Sequence, residues 1–180
     1  GKAAEKDVRL SDFEKSIVYY FKKAKGRKAK GDDYFATPEP LGLVMTKLAD
    51  IKPNDKVLEP SAGHGAISRW FPINTSRTII EPYSQGADAE LTGQGARFIV
   101  GKFEEHNIIN KYDAIVMNPP FGTGGAEAAR HLGKAMKGHL RNGGRIVAIF
   151  PIGPKADTAY EKLMASESAK DIYTVAEYIM

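Results

Sequence analysis

Apolar positions along this chain follow two rhythms. Short apolar runs bounded by Gly, Pro or Asn fit strands at Val57-Leu58, 78–82, 97–100, 112–117 and 145–150. Between them the spacing turns helical. Leu41, Val44, Met45 and Leu48 mark one face of a helix, with Thr37 as its N-cap and Pro38 as its first residue. The pattern also predicts a helix starting over 66–71, a short one around 87–91, one over 126–140 and one over 155–165. In the third of these, Ala128, Leu132, Ala135, Met136 and Leu140 are the apolar positions. Residues 172–179 offer a sixth strand. Near the amino end, Ser11 and Glu14 form a capping-box pattern ahead of a stripe of Phe13, Ile17, Tyr20 and Phe21. Strands alternating with helices predict βαβ units and an α/β fold, with a mostly parallel sheet and helices on both faces.

Composition narrows the possibilities. A chain of 180 residues suits one domain with a real core. Cysteine is absent, which excludes disulfides, thiolate zinc sites and a cysteine nucleophile. His64, His106, His131 and His139 are scattered without a metal-ligand spacing, so no metal is expected. No apolar run reaches membrane-spanning length and no signal-peptide pattern opens the chain, which predicts a soluble cytoplasmic protein without a membrane partner. The net charge is +4, and Lys22, Lys23, Lys25, Arg27, Lys28 and Lys30 form a basic run with no acid among them. Such a run grips phosphates or serves as a solvated linker; the residues alone fit both readings equally.

Three groups of residues carry candidate chemistry. Asn118-Pro119-Pro120-Phe121 directly follows the apolar run ending at Met117. Two prolines stop a central strand and stiffen its exit. A carboxamide, a free carbonyl and an aromatic ring are thereby presented at a strand's carboxyl end, where open α/β sheets bind ligands. An amide acceptor beside a ring suits a flat group bearing an NH2. Gly63 and Gly65 lie between the first strand and the next predicted helix. They make either a compact turn or a close backbone approach to a ligand. No Gly-Lys-Ser/Thr follows, which disfavours a phosphate-binding loop of the triphosphate type. Glu59 ends the first strand and Glu81 the second, and an acid in the latter place can receive both hydroxyls of a ribose.

Together these motifs resemble the class I S-adenosylmethionine-dependent methyltransferases, specifically the enzymes that methylate the exocyclic N6 amine of adenine in DNA. Glu59-Pro60-Ser61-Ala62-Gly63-His64-Gly65 matches that family's acid-Pro-x-x-Gly-x-Gly loop, and Asn118 to Phe121 matches its catalytic tetrapeptide. Thr37-Pro38 matches a Thr-Pro often found before the first helix. The resemblance covers roughly residues 33–154. It implies a Rossmann-like fold, S-adenosylmethionine as cofactor and a nucleic acid, DNA first, as partner. It implies that Thr37, Pro60, Ser61, Ala62, Gly63 and Gly65 surround the methionine end of the cofactor and that Glu59 anchors its amino group. Glu81 is to take the ribose hydroxyls, with Pro82, Tyr83 and Phe103 near the adenine. Asn118 and the Pro119 carbonyl are to hold the substrate NH2 beside Pro120, and Phe121 is to stack on the substrate ring. Lys25, Arg27, Lys28 and Lys30 are then candidates for the nucleic-acid backbone.

The same resemblance divides the chain into a basic helical or flexible extension, 1–32, and a catalytic domain, 33–180, without a separate target-recognition domain. Selectivity is left to the extension, to loops such as 122–127, to a specificity partner or to a homodimer. Two departures stand out. Lys102 occupies the place of an acid that usually contacts the cofactor adenine, which leaves Glu104 or the Phe103 backbone as substitutes. The chain also offers one strand after the fifth where the family has two, so its sheet is expected to lack the last strand or strands. Alternatives stay open: the same chemistry on RNA adenine or a protein glutamine amide, or a catalytically decayed cofactor-binding or partner subunit. A nicotinamide-dependent dehydrogenase shares the fold class but gives no account of the double proline.

Overall fold

A computed structural model describes residues 37–63, 65–82, 95–107 and 111–166. The aromatic stripe at 13–21, the basic run at 22–30, the helix at 87–91 and the strand at 172–179 lie outside the described residues. Among the described residues, five strands make one sheet: β1 (Lys56–Glu59), β2 (Ser76–Glu81), β3 (Arg97–Val100), β4 (Tyr112–Met117) and β5 (Leu140–Ala148). Every pairing is parallel and the order is β3-β2-β1-β4-β5. Among the described residues three α-helices accompany it: α1 (Glu39–Leu48), α2 (Ala126–Lys134) and α3 (Pro154–Met164).

Side chains alternate across the sheet because a strand's period is two residues. Val57, Ala114 and Val116 face one side, where Leu41, Met45 and Ala49 of the α1 region join Ile67 and Phe71. Leu58, Ile80, Ile115 and Met117 face the other, against Leu132, Ala135 and Met136, with Tyr160, Leu163 and Met164 of α3 packed behind. Both faces are therefore buried, which is why the central strands read as continuous apolar runs rather than alternating ones. The ten residues of α1 fall short of the ~12–15 that an isolated helix needs, so α1 depends on this packing. No helix among the described residues is long and apolar enough to cross a membrane.

The direction of chain progression reverses between β1 and β4. From β1 the sheet grows outward through β2 to β3, and from β4 it grows the opposite way to β5. The loops leaving β1 and β4 must then part to opposite sides, which opens a crevice at their carboxyl ends. Both candidate motifs sit on those two loops.

Several local expectations are corrected. No α-helix starts over 66–71; the chain makes turns and one 3-10 turn, Ser68–Trp70, and Phe71 is already extended. Pro72 explains this, because a residue before proline is pushed out of the helical region. The helix expected over 126–140 keeps α geometry only to Lys134, then widens into a π turn over Ala135–His139. Leu140 is the first residue of β5, opposite Tyr112, not the last apolar position of a helix. Regular pairing resumes at Arg145 after a bulge at 141–144, so the predicted start at 145 marks the ordered ladder. Thr37 is not an N-cap: Pro38 occupies that position and no side chain caps α1.

Candidate active site at the carboxyl ends of strands one and four

The loop after β1 runs Pro60-Ser61-Ala62-Gly63 and resumes at Gly65. Gly63 has φ +53 and Gly65 φ +78, a left-handed backbone that side-chain-bearing residues avoid. The loop is tied to the sheet by main chain. Ala62 N–H donates to the Ile80 carbonyl at 3.0 Å, and Gly65 N–H closes a turn onto the Ala62 carbonyl at 2.8 Å. Gly63 N–H donates to Glu81 Oε2 at 2.6 Å, a charge-assisted bond across the ends of β1 and β2. Glu81 is 5% exposed. Pro82 follows at half-buried depth, while Tyr83 and His64 lie outside the described residues.

Glu59 is the most unusual group here. It ends β1, is 1% exposed, and its Oε2 closes no hydrogen bond among the described residues. Burial pushes its carboxyl well above the ordinary carboxylate range; the Ser68 hydroxyl and backbone amide pull the other way, and Glu81 adds to the upward push. A buried carboxyl with an unsatisfied oxygen is costly unless something pairs with it.

The loop after β4 opens with Asn118. Its Nδ2 donates to Thr37 Oγ1 at 2.9 Å, across 81 residues of sequence. The Nδ2 branch of the carboxamide thus faces Thr37 and Oδ1 points the other way; Oδ1 is shielded from solvent. Thr37 and Asn118, two sequence-predicted site residues, are thus in direct contact. Pro119 is buried; Pro120 and Phe121 are partly exposed. The Phe121 carbonyl accepts from Glu127 N–H at 3.2 Å and Ala128 N–H at 3.4 Å, so the tetrapeptide is fastened to the amino end of α2. Beside it, Phe121, Gly122 and Gly125 line one wall of an open cleft of about 490 Å³, and Pro151, Ile152 and Lys155 line the other. Ile152 is 71% exposed.

Other predicted residues are placed differently. The Phe103 ring is 2% exposed in the core, tilted against His131 and His139, so only its backbone can reach a ligand. Lys102 is exposed. Glu104, named as its substitute, places Oε1 on His131 Nε2 at 2.8 Å. Lys25, Arg27, Lys28 and Lys30 lie outside the described residues.

Sequence reasoning missed Gly42, Ser68 and the loop after β5. A Cβ built at Gly42 would stand 2.1 Å from the Ala66 carbonyl oxygen, so only glycine lets α1 rest on the glycine loop. Glycine inside a helix costs about 1 kcal/mol against alanine, and that misfit was the available signal. Pro151-Ile152-Gly153-Pro154 carried a loop signal at a strand's carboxyl end. Nothing in the sequence pointed to Ser68.

No protein-family model and no curated protein matches the chain. Solved structures do. A candidate RNA methyltransferase from Pyrococcus horikoshii superposes with a TM-score of 0.56 at 22% identity, covering 83% of this chain and 79% of that one. A candidate class I S-adenosylmethionine-dependent methyltransferase from Listeria monocytogenes gives 0.61 at 11% identity, covering 84% and 55%. An rRNA methylase from Streptococcus thermophilus gives 0.53 at 14% identity, covering 74% and 82%. The chain thus spans just over half the length of the Listeria protein and about four fifths of the other two. The parallel order β3-β2-β1-β4-β5, helices on both faces and these likenesses give the chain the Rossmann-like fold of the class I methyltransferases.

Proposed function

We propose that the chain is an S-adenosylmethionine-dependent N-methyltransferase acting on the exocyclic N6 amine of adenine in nucleic acid. The observation that carries this reading is the contact between Asn118 and Thr37 at the mouth of β4, beside the glycine loop of β1. The residues present fit the cofactor. Glu59 offers a buried carboxyl oxygen that closes no hydrogen bond among the described residues, and the positive-φ loop at Gly63 and Gly65 leaves backbone free of side chain. Glu59 would pair with the amino group of the cofactor's methionine end and Glu81 with its ribose hydroxyls. The cofactor supplies an electrophilic methyl on a sulfonium.

The chain's own residues do the rest. An amine conjugated to a purine is a poor nucleophile. Asn118 Oδ1 and the Pro119 carbonyl accept its two N–H groups and favour positive charge growing on nitrogen. They also hold the lone pair in line with the methyl. The cofactor would supply its methyl to that nitrogen, while Asn118 Oδ1 and the Pro119 carbonyl would keep hold of the N–H groups, one proton of which would then leave to solvent. No general base has to act before attack. Phe121 stacks on the substrate ring, compensating part of the cost of taking a paired base out of its stack.

The likenesses named for RNA favour RNA over DNA as the polymer. A glutamine amide in a protein remains the second reading of the tetrapeptide. The test is incubation with methyl-labelled cofactor and RNA, DNA or protein, followed by mass spectrometry of the products. Label on adenine N6 supports the reading and its polymer. Label on another atom, or none on any of the three, overturns it.

A further inference from the structure

The cleft between the loops after β4 and β5 meets the tetrapeptide at one residue. Phe121 lines it, and Asn118, Pro119 and Pro120 do not. Space of about 490 Å³ is therefore left beyond the groups proposed to hold the reacting NH2. The walls are fixed. Gly124 and Gly125 have φ +62 and +76, and a Cβ on them would stand 3.0 Å from Lys155 in the first case and from Pro151 and Ala156 in the second. Glycine there lets the two loops close on each other at backbone distance. Just past the strands, Ile149 N–H donates to the Met117 carbonyl at 3.0 Å. Asp157 N–H donates to the Gly153 carbonyl at 2.8 Å and Gly153 N–H to Asp157 Oδ1 at 3.3 Å, while Pro151 and Pro154 each fix a φ.

Ile152 is the exception in this fastened loop. It is 71% exposed, although it lines the cleft. A large apolar side chain held in water forgoes the gain of burial, and the ties on either side keep its backbone in that position. The rest of the lining is poor in polar groups. Lys155 carries its one polar side chain, and no Asp or Glu lines the cleft. The carboxylates on the adjoining helices are engaged, Glu127 on Arg130 at 2.9 Å and Asp157 on Gly153. Such a lining can grip the flat face of a ring between Phe121 and Ile152, but it has no acceptor side chain with which to read a base edge.

We propose that this cleft is a subsite for the nucleobase beside the target adenine on the same strand, gripped by Ile152. The inference rests on the proposed function, in which the target ring stacks on Phe121. A strand held that way carries its next base as the nearest flat apolar group, and Ile152 stands on the facing wall. The positive Lys155 side chain suits the phosphate that joins the two nucleotides. Contact is with the base's face and not its edge, so all four bases serve. The neighbour has to be unstacked to enter, which points to a single strand or a loop rather than an intact duplex. Ile152 is thus a specificity-determining residue that selects an unpaired neighbour and not a sequence.

The experiment uses short single-stranded RNA oligonucleotides holding one adenine, with ordinary neighbours or with an abasic neighbour on one side or the other. Methyl transfer and binding are both measured for wild type, Ile152→Ser and Ile152→Leu; Ile152 is exposed, so neither change disturbs the core. Wild type is expected to lose at least about tenfold in kcat/KM, mainly through KM, and in affinity when one particular neighbour is abasic, and to change by less than about threefold with that neighbour's identity. Ile152→Ser is expected to show the same loss on the intact strand and little further loss on the abasic one, as coupled groups do, while Ile152→Leu stays near wild type. Losses that simply multiply, or no loss from either change, overturn the subsite, and the cleft then has another occupant. The proposed function fails separately: wild type that binds the strand with this coupling but transfers no methyl to adenine keeps the subsite and overturns the chemistry.

Discussion

At the scale of single residues, two side chains matter through the way they are held. Asn118 can act as an acceptor only if its oxygen, not its nitrogen, faces the substrate, and it is the Nδ2 branch that faces Thr37 Oγ1. On the proposed reading Thr37 is a positioning residue. Thr37→Val removes the acceptor and keeps the shape, so kcat is expected to fall about tenfold with little change in KM; a rise in KM alone would assign Thr37 to binding. Glu59 makes a prediction about pH. Its folded pKa lies above the ordinary carboxylate value, so between the two the folded state binds more protons than the unfolded one. Stability then falls as pH rises from the ordinary carboxylate range toward the folded pKa. Glu59→Gln stays neutral throughout, and its melting temperature is expected to lose that decline and exceed wild type at neutral pH. The same variant is expected to bind S-adenosylmethionine at least about tenfold more weakly, because a neutral amide gives up the charge-assisted partner of the ammonium. Thermal melts across pH and a cofactor titration check both. The sequence exposed the positions of Asn118 and Thr37 but not their contact, since a bond spanning 81 residues leaves no local signal.

At the scale of elements, α1 is the part that brings Thr37 to the crevice. Its carboxyl end is held from β5, where Arg145 donates to the Ala49 carbonyl at 2.9 Å and the Asp50 carbonyl at 2.8 Å. Its middle rests on the glycine loop through Gly42. Helix propensity alone says that Gly42→Ala stabilises by about 1 kcal/mol. A Cβ 2.1 Å from backbone oxygen says the opposite, and overpacking of this kind costs roughly 1–3 kcal/mol. The clash wins, so Gly42→Ala is expected to lower the melting temperature and to weaken cofactor binding as α1 lifts off the loop; a more stable variant would contradict the packing. Strands were readable because burial on both faces writes them as apolar runs. The 3-10 turn at Ser68–Trp70 and the π turn at Ala135–His139 were not, because Pro72 in the first case and the demands of re-entering the sheet at Leu140 in the second override helical spacing.

At the scale of the molecule, a parallel sheet whose progression reverses between β1 and β4 puts two loops side by side, and both motifs occupy them. That much followed from the order of strands and motifs. The polymer did not, because a tetrapeptide that holds an NH2 serves any planar amine or amide. On the proposed reading Asn118 acts on the transferring step and not on holding the cofactor. Single-turnover methyl transfer by wild type and Asn118→Ala, with cofactor affinity measured in parallel, tests it most directly. The transfer rate is expected to fall at least about 100-fold, the scale of removing one preorganised transition-state partner, with cofactor affinity changed by less than about threefold. Transfer retained in the variant, or cofactor binding lost along with it, would contradict the claim.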